Sequence, residues 1–133
     1  MDPSLWGNCG WKFIHSVTLA YPVDPTDKEM EKYYNFFTSL SNILPCGMCR
    51  NNYNNHLKKL PLTKNVLSCR NNLIRWGIDL HNVVNYQTGK KMLSYKEALQ
   101  EINNSYSPKN NYVTYFGIVF IVCVLIYWYW KYK

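Results

Sequence analysis

Apolar residues recur along the first hundred positions at helical spacing. From Ser4, a candidate N-cap, Trp6, Phe13, Val17 and Ala20 predict a first helix that ends by Tyr21-Pro22. After Val23-Asp24-Pro25, the run Thr26-Asp27-Lys28-Glu29 has the pattern of a capping box. Met30, Tyr33, Tyr34, Phe37, Leu40 and Leu44 then mark a broad stripe on the helix it opens. Pro45 stops that helix, and a third is expected from Cys46 to Leu60-Pro61, with Tyr53 and Leu57 on one face. A loop through Thr63-Lys64-Asn65 leads to a fourth, capped by Ser68, carrying Leu73, Trp76, Gly77, Leu80, Val83 and Val84, and closed by Thr88-Gly89. Ser94-Tyr95-Lys96-Glu97 is a second capping box, opening a short helix that fades near Asn103. No segment alternates with period two, so the expected fold is all-α: a four-helix bundle with a short fifth helix.

The pattern changes after a short linker, residues 107–111. Tyr112 to Trp130 contains no charged residue and spans roughly 28 Å as a helix, close to the hydrocarbon thickness of a bilayer. Tyr112 and Tyr115 at one end and Tyr127, Trp128, Tyr129 and Trp130 at the other resemble interfacial belts. The expected organisation is therefore a globular domain (1–106), the linker, a single-pass C-terminal transmembrane anchor (112–130) and a basic tail (131–133). Met1-Asp2-Pro3-Ser4 lacks the basic start of a secretory signal, and with only three residues beyond the apolar run its insertion is expected to be post-translational, which leaves the domain facing the cytosol. Lys131 and Lys133 run against that orientation under the positive-inside rule, and Asn103-Asn104-Ser105 is a glycosylation sequon that tests it.

The formal charge of +7 is shared with the tail, where Lys109, Lys131 and Lys133 flank the apolar run. The domain is only mildly basic and has no Lys/Arg block, which argues against nucleic acid as its partner. Cys9, Cys46, Cys49, Cys69 and Cys123 are too irregular for a secreted disulfide framework. One pair stands out: Pro45-Cys46-Gly47-Met48-Cys49. A C-x-x-C at the first turn of a helix can form a reactive disulfide, supply half a zinc site, or simply pack. Two polar faces add candidate chemistry. Trp11 and His15 share one face of the first helix; His81, Asn82 and Asn85 cluster on the fourth, with Lys90 and Lys91 following in a position suited to a phosphate.

Taken together, Gly7-x-x-x-Trp11-x-Phe13-x-His15, Tyr21-Pro22, Pro45-Cys46-Gly47-Met48-Cys49, Arg70 six residues before Trp76, His81-Asn82-x-Val84-Asn85 and Lys90 resemble the Erv/ALR family of FAD-linked sulfhydryl oxidases. The compact form is most like members encoded by large DNA viruses. The resemblance implies a helical bundle that holds FAD and pairs as a homodimer through its first two helices. It implies Cys46 and Cys49 as the catalytic pair, Cys49 nearer the flavin and Cys46 exchanging with incoming thiols. The cofactor-binding set would be Gly7, Trp11, His15, Tyr21, Cys49, Arg70, Trp76, His81, Asn82, Val84, Asn85 and Lys90, with no metal. The implied reaction makes disulfides in a protein thiol substrate or a thioredoxin-like relay protein and reduces oxygen to hydrogen peroxide, at a virion or host membrane.

This chain departs from the family pattern in places. A second family disulfide would need cysteines where Ile78 and Tyr95 stand, and an Arg that often follows the first-helix Gly is Asn8. Cys9, Cys69, Cys123 and His56 have no assigned role. Two other readings are a zinc module built on Cys46, Cys49, His56 and Cys69, and a membrane-anchored adaptor with inert cysteines.

Overall fold

The computed structural model describes residues 1–106 and 112–132, the side chains of residues 113 and 114 aside. The expected linker, residues 107–111, and the last residue of the basic tail lie outside the described residues. Every described element is a helix: α1 (Pro3–Leu19), α2 (Asp27–Ile43), α3 (Gly47–Lys59), α4 (Lys64–Leu67), α5 (Arg70–Gln87), α6 (Tyr95–Tyr106) and α7 (Tyr112–Tyr132).

Local chemistry explains most of the helix ends. The Asp2 carboxylate, not Ser4, caps α1: it accepts from the Ser4 N–H at 2.9 Å, while Pro3 takes the first helical position, where its missing N–H costs nothing. Thr26 and Glu29 satisfy each other's backbone N–H groups as a capping box, and Ser94 and Glu97 do the same for α6. Thr63 caps a single turn, α4, where a loop was expected. Ser68, the expected cap of the next helix, instead ends that turn by donating to the Asn65 carbonyl. Cys69 stands at the N-cap of α5 without a side-chain hydrogen bond. At the other end of α5, Gly89 has φ +70°, the left-handed residue that lets the chain leave the helix. Helix α6 runs past Asn103 to Tyr106, whose hydroxyl donates to the Lys12 carbonyl and meets Ser16 Oγ at 2.7 Å, tying α6 to α1.

Helix α5 sits between two apolar clusters. On one side Leu73, Trp76 and Leu80 join Ile14, Tyr21, Phe37, Leu40, Tyr53, Leu62 and Leu67. Phe37, wholly buried, meets Trp76 edge-on at 5.1 Å. Three buried rings of this cluster have carbonyl partners for their polar ends: Tyr21 donates to Leu67 at 2.7 Å, Tyr53 to Phe37 at 2.9 Å and Trp76 Nε1 to Leu60 at 3.0 Å. On the other side Ile74 and Ile78 pack with Ala98 and Ile102 of α6, and Tyr95 lies against this cluster with the Arg75 guanidinium 4.2 Å above its ring. Ile78 and Tyr95, the positions without the family's second staple, thus belong to one apolar contact.

Gly77 sets the approach of α1 to α5. A Cβ there would stand 3.2 Å from Thr18 Cγ2, and Thr18 is fully buried. The close crossing brings the Trp11 and His15 face of α1 against the His81 face of α5. Helix α7 carries no charged residue before Lys131 in its last turn; its Tyr115–Tyr132 stretch is long and apolar enough to cross a bilayer, and none of it is buried.

Candidate functional site

The site begins where α2 gives way to α3. Arg50 Nη1 donates to the Leu44 carbonyl and holds the turn. Cys46 is extended (φ −122°, ψ 122°) and caps α3, its Sγ accepting from the Cys49 N–H at 3.2 Å. The two cysteines form a disulfide across the first helical turn, their Cα atoms 5.0 Å apart. Both sulfurs therefore lie in the field of the helix N-terminus, which favours negative charge on sulfur. Their surroundings differ. Cys46 is 6% exposed and flanked by exposed Pro45, Gly47 and Met48, whereas Cys49 is half-buried and lines a partly open cavity.

That cavity, about 330 Å³, is walled by α1, α3 and the end of α5 and is largely apolar. It falls at the lower end of the ~300–1,000 Å³ typical of cofactor sites. Of the predicted residues it contains Gly7, Trp11, Cys49 and Val84. A second cavity, about 460 Å³, is lined by His81, Asn85 and Lys90 together with Lys91, Glu97 and Glu101; Lys91 and Glu97 pair at 2.8 Å. Between the two, the Trp11 indole lies parallel to the His81 imidazole, centroids 4.0 Å apart and planes 9° apart. His15 Nε2 and His81 Nδ1 share a hydrogen bond of 3.0 Å. Burial pushes both imidazoles down to about 4, with His15 and Lys90 adding to the effect at His81, so the pair is neutral at pH 7 and one ring donates to the other.

Five of the predicted cofactor residues line neither cavity: His15, which meets His81 as described, and Tyr21, Arg70, Trp76 and Asn82. Tyr21 and Trp76 are in the core, their polar ends taken by the carbonyls already named. Arg70 Nε donates to the Tyr21 carbonyl and clamps the end of α1 to the start of α5. Asn82 binds both backbone groups of Leu93, at 2.8 and 2.9 Å, and so fixes the segment between α5 and α6. These side chains shape the site from one layer away.

Sequence reasoning missed part of the wall: Trp6, Asn52, Tyr53, His56 and Gln87 all line the cavity that holds Cys49. The signal was present, since Cys49, Asn52, Tyr53 and His56 follow i, i+3, i+4, i+7 spacing on α3. His56, 2% exposed, pairs through Nε2 with Gln87 Oε1 at 2.9 Å. Its Nδ1 has no partner, nor does the buried Nε1 of Trp6. A largely apolar cavity walled by Trp6, Trp11 and Tyr53 fits a planar aromatic ring, and Lys90 and Lys91 of the adjoining cavity suit an anionic extension of it. A zinc site is not assembled: among the described residues no three His, Cys, Asp or Glu side chains are placed to share a metal.

A helix-capped disulfide opening onto an aromatic-walled cavity in an all-helical domain defines a helical dithiol–disulfide oxidoreductase. Residues 8–106 match the model of the Erv1/Alr family, and the chain belongs to that family. It is 55% identical over 109 residues to a probable FAD-linked sulfhydryl oxidase of Acanthamoeba polyphaga mimivirus, covering 82% of this chain and 76% of that one. An FAD-linked sulfhydryl oxidase of African swine fever virus is 30% identical over 92 residues, covering 69% of this chain and 75% of that one. Among solved structures, the FAD-binding domain of Erv1 from Saccharomyces cerevisiae superposes with a TM-score of 0.71 at 25% identity, covering 80% of this chain and 99% of that one.

Proposed function

We infer that this chain is an FAD-linked sulfhydryl oxidase that makes disulfides in protein clients through Cys46 and Cys49. The observation that carries this reading is the Cys46–Cys49 disulfide, one sulfur of which opens onto the cofactor-sized cavity. Gly7, Trp11 and Val84 would hold the cofactor's ring beside Cys49, and His81, Asn85 and Lys90 its polar remainder. His15 acts by orienting His81; Tyr21, Arg70, Trp76 and Asn82 act by fixing the elements that carry the others.

A client thiolate attacks Cys46 Sγ, the Cys46–Cys49 bond breaks, and the electron pair leaves on Cys49. A second client thiolate attacks the client sulfur of the mixed disulfide, forming the client's own disulfide and releasing Cys46 as thiolate. Here the capping geometry matters. The Cys49 N–H already points at Cys46 Sγ, so the helix N-terminus stabilises the departing charge and makes Cys46 the better leaving group. FAD held beside Cys49 would supply the two-electron acceptor needed to restore the disulfide, with oxygen as the final acceptor and hydrogen peroxide as its product. Because Cys46 is 6% exposed, the client has to present an extended segment against the exposed Pro45, Gly47 and Met48.

Residues 1–106 form the oxidase domain in this reading, and the apolar helix from Tyr112 anchors it to a host or virion membrane with the domain facing the cytosol. A thioredoxin-like relay protein is an equally suitable client. Exposed Leu5, Phe13 and Tyr34 on α1 and α2 favour a homodimer through those helices. Purification of the full chain in detergent tests the core of the proposal. It should be yellow and consume oxygen and dithiol with peroxide release; Cys46→Ser and Cys49→Ser should each keep the flavin and lose turnover. A well-folded but colourless protein would instead favour the membrane-anchored adaptor.

A further inference from the structure

We propose that Arg50 selects the client: the segment that brings its thiol to Cys46 carries an acidic residue beside the cysteine, and that carboxylate pairs with the free edge of the Arg50 guanidinium. This rests on the reading that clients exchange at Cys46. Arg50 directly follows the second cysteine of the pair, and its side chain folds back along the start of α3. Nη1 donates to the Leu44 carbonyl, while Nη2 lies 3.6 Å from where a Cβ on Gly47 would stand. Gly47 is exposed and Cys46 beside it is nearly buried, so a segment laid over Gly47 to reach that sulfur passes the guanidinium. With no side chain at position 47, the approach is open.

The charge is available to a partner. A guanidinium has several N–H donors, of which the Leu44 carbonyl takes one, and among the described residues no carboxylate lies within 4 Å of Arg50. Nor does its neighbourhood supply a competing acid. Between Glu31 and Asp79 the chain carries no acidic residue, so α3 and the turn before it are without negative side chains. Asp2, next to the Met1 amino group that meets the Pro45 carbonyl at 3.2 Å, turns its carboxylate to the α1 cap. An arginine without a counter-ion at the rim of an acid-free surface matches a carboxylate, which it binds by charge-assisted hydrogen bonds.

The test uses the full chain in detergent, in excess under nitrogen, and dithiol peptides identical except for Asp, Asn or Lys beside the cysteines. Two peptide thiols become one peptide disulfide, and the electron pair reduces the Cys46–Cys49 bond; the peptide disulfide formed in this single turnover is measured, wherever the electrons come to rest. The Asp-to-Lys rate ratio of wild type should exceed that of Arg50→Gln about fivefold, the size of an exposed ion pair. The peptides' own reactivities cancel in that comparison, and a ratio within one variant does not depend on how much of the sample is folded. Arg50→Lys should keep most of the preference, Arg50→Glu should invert it relative to Arg50→Gln, and high salt should shrink it. Lys28→Gln, which removes an exposed charge at the far end of α2, should leave the wild-type ratio. If Arg50→Gln keeps the wild-type ratio, or Lys28→Gln lowers it as much, the assignment of Arg50 is wrong. Wild type that prefers the Asp peptide here but consumes no oxygen in air would sink the oxidase reading and leave Arg50 as assigned; if no peptide is oxidised, both fall.

Discussion

Acid should loosen this domain through the His15–His81 pair. Both rings are held near 4, against an ordinary value of 6.5, chiefly because burial penalises the imidazolium. Below pH 6.5 the unfolded chain takes up a proton at each ring and the folded chain does not. The pair's contribution is therefore fully present above that range and is lost as the pH falls toward 4. Between pH 7 and pH 5 the linkage amounts to at most about 2 kcal/mol per ring. His81 keeps some contact with solvent and its shift depends in part on His15, so about 2 kcal/mol for the pair together is the better expectation. The assay is urea unfolding of the flavin-free full chain in detergent, followed by circular dichroism at pH 7 and pH 5. The wild type is compared with His15→Gln/His81→Gln, which keeps two neutral hydrogen-bonding groups. Acidification should cost the double variant about 2 kcal/mol less than the wild type. Equal losses in the two proteins would mean that the imidazoles are not held neutral by the fold, and the reasoning about the pair would be refuted.

Three further outcomes are expected. Tyr21→Phe removes the donor to the buried Leu67 carbonyl and should destabilise the domain by about 1–3 kcal/mol in the same unfolding assay; a change near zero would show that the carbonyl finds another partner. Gly77→Val drives a branched side chain toward Thr18 and should both destabilise by about 1–3 kcal/mol and weaken FAD retention, since the α1–α5 crossing brings His15 to His81; unchanged flavin content would uncouple that crossing from the site. Deleting residues 112–133 should release the protein from membranes into the alkaline carbonate supernatant, and a full-length chain that is itself extracted would rule out the anchor.

The main helices were legible in the sequence because their ends carry side-chain chemistry that works locally. Thr26 and Glu29, Ser94 and Glu97, and Gly89 each act within one turn, and each appears where the pattern placed it. The one-turn α4 was missed because four residues are too few to show a period, and α5 starts without a side-chain cap to announce it. The grouping of chemically distinctive residues was legible: the C-x-x-C pair closes across a helix start, and the Trp11 and His81 faces meet. The site was illegible where function depends on what packing leaves over. The family resemblance gives Asn82 and Arg70 as cofactor residues, and no pattern along the chain announces the backbone partners that the fold gives them, Leu93 for Asn82 and the Tyr21 carbonyl for Arg70 Nε. His56 has no distinguishing neighbours along the chain, and only the folded wall reveals an imidazole nitrogen without a partner.

The greasy seam between Ile78 and Tyr95 has a consequence for where this protein can work. Helix α6 is fastened by carbon and a cation-covered ring, which no reductant can cleave. Glutathione or dithiothreitol would open the Cys46–Cys49 disulfide without unlatching the scaffold that carries it. The enzyme is thereby suited to cycle in thiol-rich surroundings that would slacken a domain braced by an additional cystine.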